Sequence, residues 1–117
     1  MQTDELVKVV TDELNLRKGD NVTVIDVKDR TSVTDFMIIV TSTSTRHANA
    51  LCGYVSEKIK ELGVRPLGQE GEQGSDWVLL DLGDIIVHIM TEQSRNLYQL
   101  EKLWSLNTRA QEVASGS

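Results

Sequence analysis

The chain has 117 residues, 39% hydrophobic and 26% charged, the proportions of one folded domain and not of a disordered or fibrous chain. Its longest apolar run, Phe36 to Val40, is far short of a bilayer span, and Met1-Gln-Thr-Asp-Glu5 has neither the basic residues nor the apolar stretch of a secretion signal. The one cysteine, Cys52, excludes an internal disulfide or a cysteine zinc cluster and suits a cytoplasmic setting, while a net charge of −6 disfavours DNA or general phosphate-backbone binding and attracts a basic protein partner.

No period of about 20 to 50 residues recurs, which argues against a solenoid. The only proline is Pro66 and no linker divides the chain. The reading is one domain over residues 1–104, then a polar tail, residues 105–117, expected to be disordered. A first helix is predicted from Asp4 to Arg17, capped by Thr3, with Leu6, Val10 and Leu14 at every fourth position and Gly19 as its stop. Val22 to Val27 reads as a strand. After the polar turn Lys28 to Ser32, Val33 to Thr41 reads as a second strand, buried on both faces and so internal to a sheet. The next helix, Thr45 to Leu62, carries Ala48, Leu51, Cys52, Val55, Ile59 and Leu62 as one apolar stripe, with Ser44 as N-cap and Gly63 just past its end. Val64 to Leu67 is expected to be a short strand completing a βαβ unit.

A Gly- and Glu-rich loop, Gly68 to Gly74, leads into a hairpin, Asp76 to Leu82 and Ile85 to Met90. Gly83-Asp84 at its tip fits a two-residue type II′ turn and fixes the register, with Leu82 facing Ile85, Leu79 facing His88 and Trp77 facing Met90. Alternation puts Val78, Leu80, Leu82, Ile85, Val87 and Ile89 on a core face. Trp77, Leu79, Asp81, Ile86, His88 and Met90 fall on the opposite, mixed face, with Trp77 and Met90 at its partly exposed edge. A last helix, Gln93 to Trp104, is expected to bury Leu97, Leu100 and Trp104 and to turn Tyr98 to solvent. The fold class is α/β, a mixed sheet with flanking helices.

Catalytic residues are scarce. Cys52 with His47 or His88 is the sole thiol–base pairing available, but Cys52 lies on the apolar stripe of its helix, where cysteine acts as a small hydrophobe. His47 sits in a first helical turn and His88 in mid-strand, both positions for structural histidines. Asp26, Asp35, Asp81 and Asp84 are strand-end carboxylates without a metal-site spacing. The glycine-rich loop is acidic and lacks the lysine of a phosphate loop. The residues therefore favour binding without catalysis, cofactor or metal. Aromatics in the last third, Trp77 and Tyr98, are the anchors of choice, forming one patch with Met90, rimmed by Asp81, Glu101 and Lys102.

Three blocks in order carry a resemblance to a known family: Thr34-Asp35-Phe-Met-Ile-Ile-Val-Thr41 with Ser44-Thr-Arg-His47; Gly71 through Trp77-Val-Leu-Leu-Asp-Leu-Gly-Asp-Ile-Ile-Val-His-Ile-Met90; and Arg95-Asn-Leu-Tyr98-Gln-Leu-Glu-Lys-Leu-Trp104. They resemble the ribosomal silencing factor, or Iojap, family over nearly all of residues 1–104, with the tail beyond the likeness. The resemblance implies a nucleotidyltransferase-like fold without catalysis; the Gly-Ser and paired-Asp motif of those enzymes is missing here. It also implies binding to protein number fourteen of the large ribosomal subunit, a steric block to joining with the small subunit when nutrients are short, and homodimers. Trp77, Asp81, Tyr98 and Lys102 are the positions that inherit this role. The alternative from another class is a degenerate nucleotidyltransferase retaining nucleotide or metal chemistry at Asp35, His47 and Asp84.

Overall fold

The computed structural model describes residues 1–100 and Lys102. The elements run α1 (Thr3–Leu16), β1 (Asp20–Asp26), β2 (Phe36–Ser42), α2 (Thr45–Glu61), β3 (Gly68–Glu70), β4 (Trp77–Asp81), β5 (Ile85–Thr91) and α3 (Glu92–Tyr98). They form a mixed sheet of order β1-β2-β5-β4-β3, in which β2 and β5 are parallel and the other neighbours antiparallel. β3 therefore runs in the same direction as β2, and α2 is the crossover between them. The expected βαβ unit exists, but β5 and β4 are later inserted between its strands, and its second strand starts at Gly68, not Val64. Pro66 has no N–H to give a ladder; the first bond to β4 is Leu67 N–H to the Asp81 carbonyl (2.8 Å).

Helices α1 and α2 pack on one face of the sheet and against each other, while α3 lies on the other face over β5 and β2. The core fills the first face. Leu6, Val10 and Leu14 of α1 and Ala48, Leu51, Cys52, Val55 and Ile59 of α2 meet Ile38, Val40, Val78, Leu80, Val87 and Ile89. Each such fully buried Val, Leu or Ile contributes about 1.5–3 kcal/mol. The hairpin register is the predicted one, from Trp77 opposite Met90 to Asp81 opposite Ile86, closed by Leu82 N–H to Ile85 O at 2.8 Å. Gly83 takes the positive φ (88°) that a type II′ turn needs at its first residue.

Several local expectations are corrected. Thr3 does not cap α1; the N-cap is Gln2, without a side-chain bond, and Thr3 Oγ1 instead donates to Asp84 Oδ2 (3.0 Å), tying the helix start to the hairpin tip. Lys18, not Gly19, takes the left-handed conformation after α1. Gly19 is needed for space, since a Cβ there would lie 2.7 Å from Val40 Cγ2. β2 begins three residues late because Thr31 Oγ1 accepts from Val33 N–H, which keeps that stretch in a turn. Leu62 ends the stripe of α2 in solvent, 43% exposed, because it is the C-cap where the chain turns away. Ser44 does cap α2, accepting from His47 N–H (3.0 Å).

The last helix departs most from expectation. α3 ends at Tyr98, with Gln99 left-handed (φ 49°), and its buried residues are Ser94 and Arg95, while Leu97 is 72% exposed. Beside the buried Ile39 and Met90, the sheet under it presents the hydroxyls of Thr41 and Thr23, and Arg95 satisfies them. Its guanidinium donates to Asn21 O (2.6 Å), Thr41 Oγ1 (3.0 Å) and Thr23 Oγ1 (2.9 Å). An arginine that meets three acceptors outcompetes a leucine for that face. The continuation to Trp104, the burial of Trp104 and the tail at 105–117 lie outside the described residues.

Candidate functional site

The candidate site sits where β4 begins and α3 ends. Pleating sends Trp77, the first residue of β4, to the sheet face on which α3 lies. α3 is started by Thr91, whose Oγ1 accepts from Ser94 N–H (3.3 Å), and is held down by Arg95. One further helical step places Tyr98 over Trp77, with ring centroids 4.8 Å apart and tilted by 45°, an arrangement favourable to aromatic pairs. Trp77 is half-buried and Tyr98 53% exposed. An open groove of about 310 Å³ runs beside the pair, lined by Ser75, Asp76, Trp77, Gln93, Ser94, Leu97 and Tyr98. A second hollow on the other side of Trp77 is lined by Glu70, Gly71 and Leu79. The loop at Gly71 presses on the strand backbone so closely that a Cβ would lie 2.7 Å from the Trp77 carbonyl oxygen.

Beneath the indole lies His88, 4% exposed. Trp77 Nε1–H donates to His88 Nδ1 (3.0 Å), so the imidazole hydrogen is on Nε2, which has no hydrogen-bond partner among the described residues. Burial pushes the imidazole down from 6.5 to about 4, which keeps it neutral and Nδ1 an acceptor.

The structure brings together Trp77 and Tyr98, as the sequence implied, and separates others. Met90 is corrected: expected at a partly exposed edge, it is fully buried. It is the penultimate residue of β5, the middle strand, and α3 turns back directly over β5. It supports Trp77, its cross-strand partner, and offers no surface. Asp81 shares the face of Trp77 but at the opposite end of β4, roughly 13 Å along the strand. Its Oδ1 accepts from Gly83 N–H (2.9 Å), so it shapes the hairpin tip and does not rim the aromatic pair. The acid lining the aromatic groove is Asp76. Lys102 is exposed, and its N–H donates to Gln99 O (3.1 Å). Glu101 lies outside the described residues. Leu97 and Gln93 were missed, since the exposure of Leu97 follows from Arg95 turning inward, which helical spacing alone does not reveal.

The residues considered for chemistry are engaged elsewhere. Cys52 is buried and its thiol is pushed up to about 11, far from a thiolate at neutral pH. His47 Nδ1 accepts from Thr43 N–H (2.9 Å) and its Nε2–H donates to Arg17 O (3.0 Å), so the ring links α2 to the end of α1. Asp26 accepts from Lys28 N–H (3.0 Å), and Asp84 from Thr3. Asp35 enters the structure through its backbone N–H, which donates to Asp84 O (3.0 Å). Among the described residues no group of three or more His, Cys, Asp or Glu side chains is placed to hold a metal ion.

Comparison with known proteins agrees with this fold. The family model "Ribosomal silencing factor during starvation" matches residues 1–116, farther than the three sequence blocks reach. A ribosomal silencing factor from Haemophilus influenzae is 41% identical over 100 residues, covering 86% of this chain and 98% of that protein. The mouse protein "Mitochondrial assembly of ribosomal large subunit protein 1" is 34% identical, over 95% of this chain and 48% of its own length. A crystal structure from Chromobacterium violaceum superimposes with a TM-score of 0.86 at 37% identity, covering 90% of this chain and 88% of that one.

Proposed function

We propose, for a chain that belongs to the ribosomal silencing factor family, a steric mode of translational repression in the cytoplasm. The protein binds the large ribosomal subunit through its protein number fourteen and occupies the surface that the small subunit must reach. The contact is made by Trp77 and Tyr98, with Leu97 extending the apolar centre and Asp76, Gln93 and Lys102 providing a polar rim. The observation that carries this reading is the ring pair itself: two aromatic rings, 4.8 Å apart, with Tyr98 53% exposed and Trp77 partly so, beside the seven-residue α3. A formal charge of −6 suits a basic ribosomal partner and speeds encounter with it. Repression by occupancy needs no catalytic group, and the engaged states of Cys52, His47 and Asp84 accord with that. The same face can pair two copies of the chain, so self-association competes with binding to the subunit.

The test is sedimentation of the purified protein with isolated large subunits, followed by a subunit-joining assay. Co-sedimentation and inhibition of joining, both lost in Trp77→Ala, are expected. Inhibition that persists when large-subunit binding is lost would overturn the steric reading. Sedimentation equilibrium over a range of concentrations, with Tyr98→Ala beside the parent, reads the self-association.

A further inference from the structure

We propose that His88 is a positioning residue, holding the Trp77 indole through the Nε1–H to Nδ1 bond in the orientation that the ring presents, together with Tyr98, to a partner. The proposal rests on the reading of this surface given above.

His88 is a polar ring buried in an otherwise apolar stretch of β5. His88 lies in mid-strand, between Val87 and Ile89, with Ile39 and Leu79 as its cross-strand neighbours. Ile39 and Leu79, which share its face of the sheet, are aliphatic, and an aliphatic side chain would suit the position. Instead an imidazole is buried there, its Nε2–H without a partner among the described residues, and burying a polar ring in place of an aliphatic side chain costs stability. The one return on that cost is the bond to Trp77.

Trp77 rests on the buried Met90, its cross-strand partner, but stands at the end of its strand. It opens β4, the preceding Asp76 is exposed, and the other ring packed on it, Tyr98, is itself 53% exposed. Apolar packing alone does not select which edge of an indole faces inward, and docking must then fix that choice. The hydrogen bond fixes which edge of the indole faces inward, so the opposite edge is fixed outward beside Tyr98. An aromatic anchor ordered before docking loses less entropy on binding. The low exposure of His88 also shields the bond from competing water.

The test compares His88→Leu, which removes the acceptor, with His88→Asn, whose Oδ1 stands near the place of Nδ1. His88→Val serves if leucine is too bulky to fold. The Trp77 indole N–H is followed by ¹⁵N NMR, assigned by its loss in Trp77→Phe, alongside thermal melting and affinity for the isolated ribosomal protein. His88→Leu is expected to melt no earlier than the parent, to expose the indole N–H to fast solvent exchange, and to weaken binding about three- to tenfold. His88→Asn should restore the protected indole signal and most of the affinity. A merely structural histidine would instead lower the melting temperature and leave the affinity of the folded protein alone. An unchanged indole signal in His88→Leu overturns the proposal, as does a freed indole with undiminished affinity. Normal binding by Trp77→Ala would remove the surface reading, and the proposal with it, whatever the indole reports.

Discussion

Truncating Tyr98 to alanine separates binding from folding more cleanly than any other change on this surface. Its side chain is 53% exposed and packs on Trp77, with ring centroids 4.8 Å apart. A tyrosine fully covered buries about 150–250 Å², so about 100 Å² remains for a partner to cover, about 2.5 kcal/mol at 25 cal/mol per Å². Loss of that contact should cost about 2 kcal/mol of binding, about thirtyfold in Kd. The half already covered belongs to the fold. After allowing for the compactness of the unfolded chain and the methyl that alanine keeps, its loss should cost about 1 kcal/mol, or about 4–8 °C in Tm. Trp77→Ala should weaken binding at least as much and cost more stability, because its ring is half-buried and gives up the bond to His88. It should still cost less than the roughly 3–5 kcal/mol of a fully buried tryptophan. Calorimetric titration against the isolated ribosomal protein, with thermal melts on the same preparations, measures both quantities. A Tyr98→Ala protein that stays folded and binds with unchanged Kd would refute the reasoning, and a Trp77→Ala protein that melts far earlier yet binds normally would show that the pair belongs to the core.

Cys52→Ala, His47→Ala and Asp84→Asn should each leave inhibition of subunit joining intact in the folded protein, although His47→Ala should lower Tm by breaking the α1–α2 link; loss of inhibition by Asp84→Asn with large-subunit binding retained would point to chemistry. Arg95→Met should cost about 3 kcal/mol or more in urea unfolding, since bonds from a charged donor to Asn21, Thr41 and Thr23 are lost; a change below about 1 kcal/mol would contradict the account of α3. The pH dependence of stability should carry a His88 component of definite sign. Burial lowers its folded value to about 4 from 6.5, so the unfolded chain takes up the proton first as pH falls. The stability tied to neutral His88 is whole above pH 6.5 and drains as the pH falls toward 4, with about 2 kcal/mol gone by pH 5. His88→Leu should flatten that part of the profile, and an unchanged slope of Tm against pH between 7 and 5 would count against a buried neutral imidazole.

Period-two and period-four patterns carry local information, and here they determined a great deal. The spacing of Leu6, Val10 and Leu14 marked the buried side of α1, and Ala48 through Ile59 that of α2. Gly83 at the hairpin tip set a register that the whole of β4 and β5 obeys, and with it the face on which Trp77 and His88 lie. Family membership too was legible in contiguous blocks. What only the tertiary structure decided depends on partners distant in sequence. Strand order is such a case, since β5 and β4 enter between β2 and β3 after the crossover is already made. The burial of Met90 depends on α3 turning back over the middle strand, and the exposure of Leu97 on Arg95 finding acceptors at Asn21, Thr23 and Thr41, more than fifty residues away. Helical spacing ranks residues by how apolar they are. It cannot know that the part of the surface awaiting Arg95 offers hydroxyl and carbonyl oxygens, where a guanidinium is worth more than a leucine.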